Sequence, residues 1–278
     1  IISSILLSSL LWSRLDNIFI WLSLGVLVWF GLLGFFDDYA KFKRKKGLGR
    51  RFRLVIQLIG GAAVGVVILV FKPIDSCIYF PLFKDAVVNL GCFYILWTAL
   101  VISAGCNSVN FTDGLDGLAI GSILMVSLVF SVFSYLSGNF EFSRYLLFPF
   151  VKGAGELTVF CSCILGSGLG FLWFNAQPAE VFMGDVGSSA LGACLGAIAV
   201  FTKKELWLFI AGGLFVIEAL SVILQIASVK IFKRKLFKAA PFHHHLQLLG
   251  WPESKITVRL WILSSLFAAL ALATLKIR

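Results

Sequence analysis

Residues 18–36 read Ile-Phe-Ile-Trp-Leu-Ser-Leu-Gly-Val-Leu-Val-Trp-Phe-Gly-Leu-Leu-Gly-Phe-Phe, without a single charge, and Asp37-Asp38-Tyr39-Ala40-Lys41 follows at once. A helix needs about 20 apolar residues to cross the hydrocarbon core, so this stretch reads as a membrane span that ends in two acids. The rest of the chain repeats the pattern. Its 278 residues are 59% hydrophobic, with a mean hydropathy of +0.97. That composition predicts an all-α, polytopic membrane protein forming a single transmembrane domain over 1–278, and excludes a soluble domain.

Spans are expected at Ile18–Phe36, Leu54–Phe71, 86–104, 117–137, 153–174, 188–202, 206–229 and 258–275. Ile1–Trp12 reads as the end of another. The chain opens Ile-Ile-Ser-Ser with no basic leader region, so no signal peptide is read there, and a missing upstream part is expected. Counting crossings puts the loops at 41–53, 105–116, 175–187 and 230–257 on one face. Lys41, Lys43, Arg44, Lys45, Lys46, Arg50, Arg51 and Arg53 crowd the first loop. Lys230, Lys233, Arg234, Lys235, Lys238, Lys255 and Arg259 fill or flank the last. The opposite loops hold scattered bases such as Lys72, Lys84, Arg144, Lys152, Lys203 and Lys204. The lysine and arginine excess marks the four-loop face as cytoplasmic. It also accounts for the net charge of +10, and no nucleic-acid partner is implied. The six cysteines form no CxxC pair and read mainly as small packing residues, with no disulfide and no zinc site assigned.

Each unusual polar cluster falls on that face. Asn107, Asn110, Asp113 and Asp116 recur at every third position, which gathers them on one side of a helix end or tight turn. Carboxylates at a membrane boundary are costly to desolvate unless they hold a hard cation or a polar substrate. The alternative is a polar loop with two Asp-Gly turns. Asp37 and Asp38 are expected at a helix C-terminus, where mutual repulsion suits one of them to act as a base; a topological stop signal is the alternative. Asp185, between Gly184 and Gly187 and just before a helix, reads as a Mg²⁺ ligand beside a diphosphate, or as an N-cap. His243, His244 and His245 are consecutive. Neighbours on a helix point roughly 100° apart, so the three cannot all bind one metal ion, and contacts to phosphate or sugar oxygens fit better; a solvent-exposed histidine patch is the alternative. Glu218 lies within a span, away from these clusters, and reads as an interhelical hydrogen-bonding group.

Four stretches together carry a resemblance: Phe35–Lys41, Asn107–Ala119, Asn175–Ser188, and Pro241–Trp261 with its three histidines followed by Leu-Gln-Leu-Leu-Gly-Trp. They resemble the polyprenyl-phosphate N-acetylhexosamine-1-phosphate transferase superfamily, and the histidine loop resembles its phospho-N-acetylmuramoyl-pentapeptide-transferase branch. The resemblance runs nearly end to end. It implies ten membrane helices, about nine of them present here, with the first span, most of the second and a nucleotide-binding loop lying upstream. Ser189 departs from a more usual apolar residue. The resemblance further implies a homodimer in the bacterial cytoplasmic (inner) membrane, its active site in a cytoplasmic cleft. The implied partners are UDP-MurNAc-pentapeptide and undecaprenyl phosphate in the bilayer, the products lipid I and UMP, and the cofactor Mg²⁺.

On that basis Asp185 is the expected metal ligand, assisted by Asn110 or Asp113. Asp37, supported by Asp38, deprotonates or orients the lipid phosphate, and Asp113 and His243 complete the catalytic set. Phe182 stacks on uracil, Asn175 and Asp116 contact the nucleotide, and Asn107 belongs to the substrate-binding set. Lys41 and His243–His245 stabilise phosphates. Direct attack by the lipid phosphate and a covalent phospho-aspartate both remain open, with direct attack favoured. Two alternatives stand beside this reading: a transferase loading GlcNAc-1-phosphate or another sugar phosphate onto the same lipid, and a cation transporter. A transporter would concentrate acids near the bilayer midplane, whereas the aspartates here share one face.

Overall fold

The computed structural model describes residues 1–81 and 87–276. Lys84 and the first residue of the span expected at 86–104 lie outside them. Helix α1 (Ile2–Trp12) precedes α2 (Ile18–Arg44) and α3 (Arg50–Phe71). Two three-residue strands, β1 (Cys77–Tyr79) and β2 (Val87–Asn89), pair antiparallel with Ile78 opposite Val88. Then come α4 (Tyr94–Thr112), α5 (Leu118–Gly138), α6 (Phe140–Tyr145), α7 (Leu157–Asn175) and α8 (Gly184–Phe201). Helices α9 (Glu205–Ala211), α10 (Gly213–Phe232), α11 (Phe242–Leu248) and α12 (Glu253–Ala273) complete the chain. Among the described residues, eight helices are long and apolar enough to cross a membrane: α2, α3, α4, α5, α7, α8, α10 and α12. The protein is an all-α, multi-pass membrane protein.

Helix α8 is the axis of the bundle. Every residue from Gly187 to Phe201 is buried, enclosed chiefly by α2 and α4 with α5 alongside. The sequence permits this through small residues. Gly105 of α4 and Gly192 of α8 lie backbone to backbone, so a Cβ on Gly192 would overlap the Gly105 carbonyl. Close approach of this kind drives helix association where the surroundings are as apolar as the side chains. The outer helices turn large residues outward instead. Leu32, Leu100, Ile223 and Leu266 are each about half exposed, on the surface that meets lipid.

Several boundaries differ from the sequence expectation. Helix α2 runs past Phe36 to Arg44, so Asp37 and Asp38 sit inside a helix rather than at its C-terminus. Lys41, three and four residues on, neutralises both acids and removes the reason to stop. Lys45, in the left-handed conformation, ends the helix instead. Helix α4 runs to Thr112, which places Asn107 and Asn110 on its last two turns. Helix α8 starts at Gly184 with Met183 at the cap position. Asp185 is therefore in the first turn, and the N-cap alternative does not hold. The span expected at 206–229 is broken at Gly212 into α9 and α10. The two ends of α8 are about 27 Å apart at 1.5 Å per residue. Beyond its C-terminus Lys203 is buried, 3.0 Å from Asp75; the polar residues described next surround its N-terminus.

Candidate active site

Helix α2 delivers Asp37 and Asp38, and α8 delivers Asp185. One oxygen from each carboxylate lies within 4.8 Å of the other two. The helices come this close because position 34 of α2 is glycine; a Cβ there would overlap the Asp185 carbonyl. Asp37 is only 2% exposed, and its Oδ1 accepts the Leu48 backbone N–H at 2.6 Å. Asp38 Oδ2 accepts the backbone N–H of Asp185 at 2.9 Å, an acid held on the first turn of α8 where the helix dipole favours it.

Two cations neutralise this triad. Lys41 Nζ is 2.9 Å from Asp37, 3.1 Å from Asp38 and 2.5 Å from Asp185. Arg53 Nη1 is 3.1 Å from Asp185 and 3.4 Å from Asp37, while its Nη2 donates to Asn110 Oδ1 at 3.3 Å. Asn110 completes the ring: its Nδ2 donates to Asp185 Oδ1 at 2.8 Å and to Ser188 Oγ at 3.0 Å. Hard carboxylate oxygens clustered beside cationic side chains fit a magnesium-type ion together with phosphate oxygens. Asp37, Asp38 and Asp185 are the residues that could hold a metal. Asn110 steers Asp185, and its own carbonyl is turned to Arg53.

Asp113 follows α4 on the same end of the bundle. Burial, with Asp185 and Asp38 nearby, pushes its carboxyl up to about 7, against a smaller opposing effect of His243. His243 is fully buried and its ring lies against Gly114, where a Cβ would overlap Nε2. Only a glycine after Asp113 lets the imidazole in. The three histidines separate in role. His243 contacts Glu218, with Nδ1 3.2 Å from Oε2. His244 Nδ1 is 2.6 Å from Gln247 Oε1, and His245 Nδ1 accepts the Lys238 N–H at 3.1 Å. The solvent-exposed patch is thus not what forms: none of the three is exposed.

Other expected site residues serve the loops. Asn175 is buried; its Oδ1 accepts the Gly117 N–H at 3.1 Å and its Nδ2 donates to the Val181 carbonyl at 2.7 Å. Asp116 Oδ2 accepts the Ala179 N–H at 3.0 Å. These two residues bind the turn after α4 to the loop before α8. Asn107 faces α3, donating to Gln57 Oε1 at 2.7 Å. Phe182 is 74% exposed, on the wall of a cavity of about 660 Å³ shared with Leu32 and Phe35. Glu218, read from sequence as remote from the clusters, is instead joined to His243.

Sequence reasoning missed Arg53 as a site residue, counting it only among the loop bases. A signal was present: Gln57, four residues on, is a buried amide inside an otherwise apolar span, marking the face of α3 that turns toward the polar centre.

Three carboxylates and two cations thus gather at one end of a helical membrane bundle. The sequence model of glycosyl transferase family 4 matches residues 20–203, more than half of the chain, and the protein belongs to that family. It is a transferase of the polyprenyl-phosphate sugar-1-phosphate class. The matched segment contains Asp37, Asp38, Lys41, Arg53, Asn110, Asp113, Asn175 and Asp185, and ends before the histidine loop.

Proposed function

We propose that this protein transfers phospho-MurNAc-pentapeptide from its UDP carrier to undecaprenyl phosphate, yielding lipid I and UMP. The observation that carries the donor assignment is the contact of His243 with Gly114. The loop whose sequence resembles the muramoyl-pentapeptide branch is folded onto the aspartate turn shared across the class. The site would face the cytoplasm of a bacterial cell, since the bases of 41–53 and 230–257 crowd the same end of the bundle.

In this reading an oxygen of the lipid phosphate attacks the donor's β-phosphorus. The bond to the bridging oxygen breaks, and UMP leaves with the electron pair. Both substrates are anions, so charge must be neutralised before they meet. Lys41 and Arg53 hold phosphate oxygens, releasing part of their grip on the triad. Asp37, beside the lipid boundary, orients the acceptor and takes its proton if it arrives protonated. Asn110 keeps Asp185 aimed into the site. Asp37, Asp38 and Asp185 would hold Mg²⁺, which when bound supplies charge neutralisation and leaving-group stabilisation. Asn175 and Asp116 fix the loop that presents Phe182 to the nucleotide base.

Radiolabelled transfer to undecaprenyl phosphate, with UDP-MurNAc-pentapeptide and UDP-GlcNAc as competing donors and with or without Mg²⁺, tests the proposal. Label entering the lipid from UDP-GlcNAc alone would move the protein to the other branch. A transporter reading has less support, because Glu218, the acid within α10, is fully buried against His243 rather than open to a pathway.

A further inference from the structure

We propose that Glu218 is a positioning residue for the transfer reaction: it grips His243 so that Nδ1 faces the carboxylate and Nε2 is presented to the Asp113–Gly114 turn. This rests on the transferase reading of the site. Residues 213–224 of α10 are Gly-Leu-Phe-Val-Ile-Glu-Ala-Leu-Ser-Val-Ile-Leu. A lone carboxylate in such a stretch needs a specific partner to offset its desolvation. The partner is the histidine helix. Glu218 Oε1 accepts the His243 backbone N–H at 3.2 Å, and Oε2 lies 3.2 Å from Nδ1. One carboxylate therefore anchors the backbone at the start of α11 and lies beside its first imidazole.

Neither ring nitrogen completes a hydrogen bond among the described residues. Nδ1 faces Glu218 at ion-pair distance, whereas Nε2 abuts Gly114. A histidine kept for packing alone would have both nitrogens satisfied, because an unpaired buried polar atom is destabilising. Here Nδ1 has only the carboxylate beside it, and Nε2, on the far side of the ring, is left for a group arriving at the aspartate turn. A carboxylate that holds an imidazole from behind sets its tautomer and orientation, the role taken by outer carboxylates in hydrolytic triads and metal sites.

Glu218→Gln separates this role from simple anchoring. Its amide oxygen can still accept the His243 backbone N–H, but its NH₂ would face Nδ1 and favour the opposite tautomer. With the donor that the wild-type protein uses, kcat is expected to fall about ten- to a hundredfold while donor KM stays within about twofold. The melting temperature should be unchanged. In a His243→Gln background the same substitution should cost nothing further. A Glu218→Gln protein with kcat within about twofold of wild type would overturn the proposal. If the variant fails to fold, the wild type decides. The chain has only three histidines, so ¹⁵N-histidine spectra can be assigned; a proton on Nδ1 of His243 supports the assignment, and a bare Nδ1 overturns it. A wild-type protein that transfers neither donor refutes the transferase reading itself, a result distinct from either outcome.

Discussion

Lys41 Nζ lies 2.5 Å from Asp185 Oδ2, joining the end of α2 to the start of α8 across 144 residues of sequence. The same ammonium reaches Asp37 and Asp38. In Lys41→Ala, Arg53 alone faces the triad, so divalent cations should substitute for the lost charge. The expected outcome is a fall in kcat/KM of about tenfold or more at low Mg²⁺ that is partly restored as Mg²⁺ rises. A Mg²⁺ titration of transfer activity checks it; an unchanged Mg²⁺ dependence would remove Lys41 from the charge balance of the site.

Asp185→Asn keeps side-chain size and removes a charge shared by Lys41 and Arg53. The bundle should still fold, because the glycine contact between α2 and α8 is untouched. Mg²⁺-dependent transfer should drop by roughly two to three orders of magnitude, the scale of losing one charge-stabilising group. Near-wild-type turnover at ordinary Mg²⁺ would exclude Asp185 as a ligand.

Asp37 and Phe182 should fail in different ways. Asp37 is buried among the cations, whereas Phe182 projects into an open cavity. Asp37→Asn should bind the UDP donor almost normally and turn over poorly. Phe182→Ala should weaken donor binding by about 1–3 kcal/mol, the range for base stacking, and keep more of the saturated rate. Calorimetry of donor binding beside saturation kinetics distinguishes them. The reverse pattern would place Asp37 in the nucleotide pocket.

Asp113 supplies a pH signature. Its carboxyl ionises near 7 in the folded protein and near 4 when unfolded. Between those values the folded state binds more protons, so this group's contribution to stability is greatest below about pH 4 and declines as pH rises toward 7. Asp113→Asn has no such group. In chelator, the melting temperature of the variant should gain on that of the wild type across this window and level off above it. A constant difference from pH 4 to 8 would contradict the raised value.

The convergence of the loops can be checked on the membrane. Lys43→Cys and Lys255→Cys, each made in a background without other cysteines, should react with an impermeant thiol reagent from the same side. Labelling from opposite sides would dismantle the site.

Much of this arrangement was legible in the sequence because apolar length and basic loops are one-dimensional signals. The eight spans and the gathering of Asp37, Asp38, Asn110, Asp113 and Asp185 at one end followed from counting crossings. Helix ends were less legible. Nothing local shows that α2 continues through two adjacent acids, since the Lys41 contacts that stabilise it include one from α8. Glu218 and His243, 25 positions apart, could be joined only once the break at Gly212 and the return of α11 were known. Arg53 was hidden in a run of basic residues whose members differ only in which way they point.

The burial of α8 bears on how the protein is made. It is the shortest of the eight spans and the one of lowest mean hydropathy, rich in glycine, alanine and serine because its neighbours press against it on all sides. Those residues give little free energy of partition into lipid on their own. The segment that carries Asp185 should therefore enter the bilayer poorly as an isolated helix and depend on α2 and α4, already in place, to receive it. Assembly of the catalytic centre then comes late in biogenesis, and mutations that loosen the α2–α4 cleft would reduce the yield of inserted protein before they touched its chemistry.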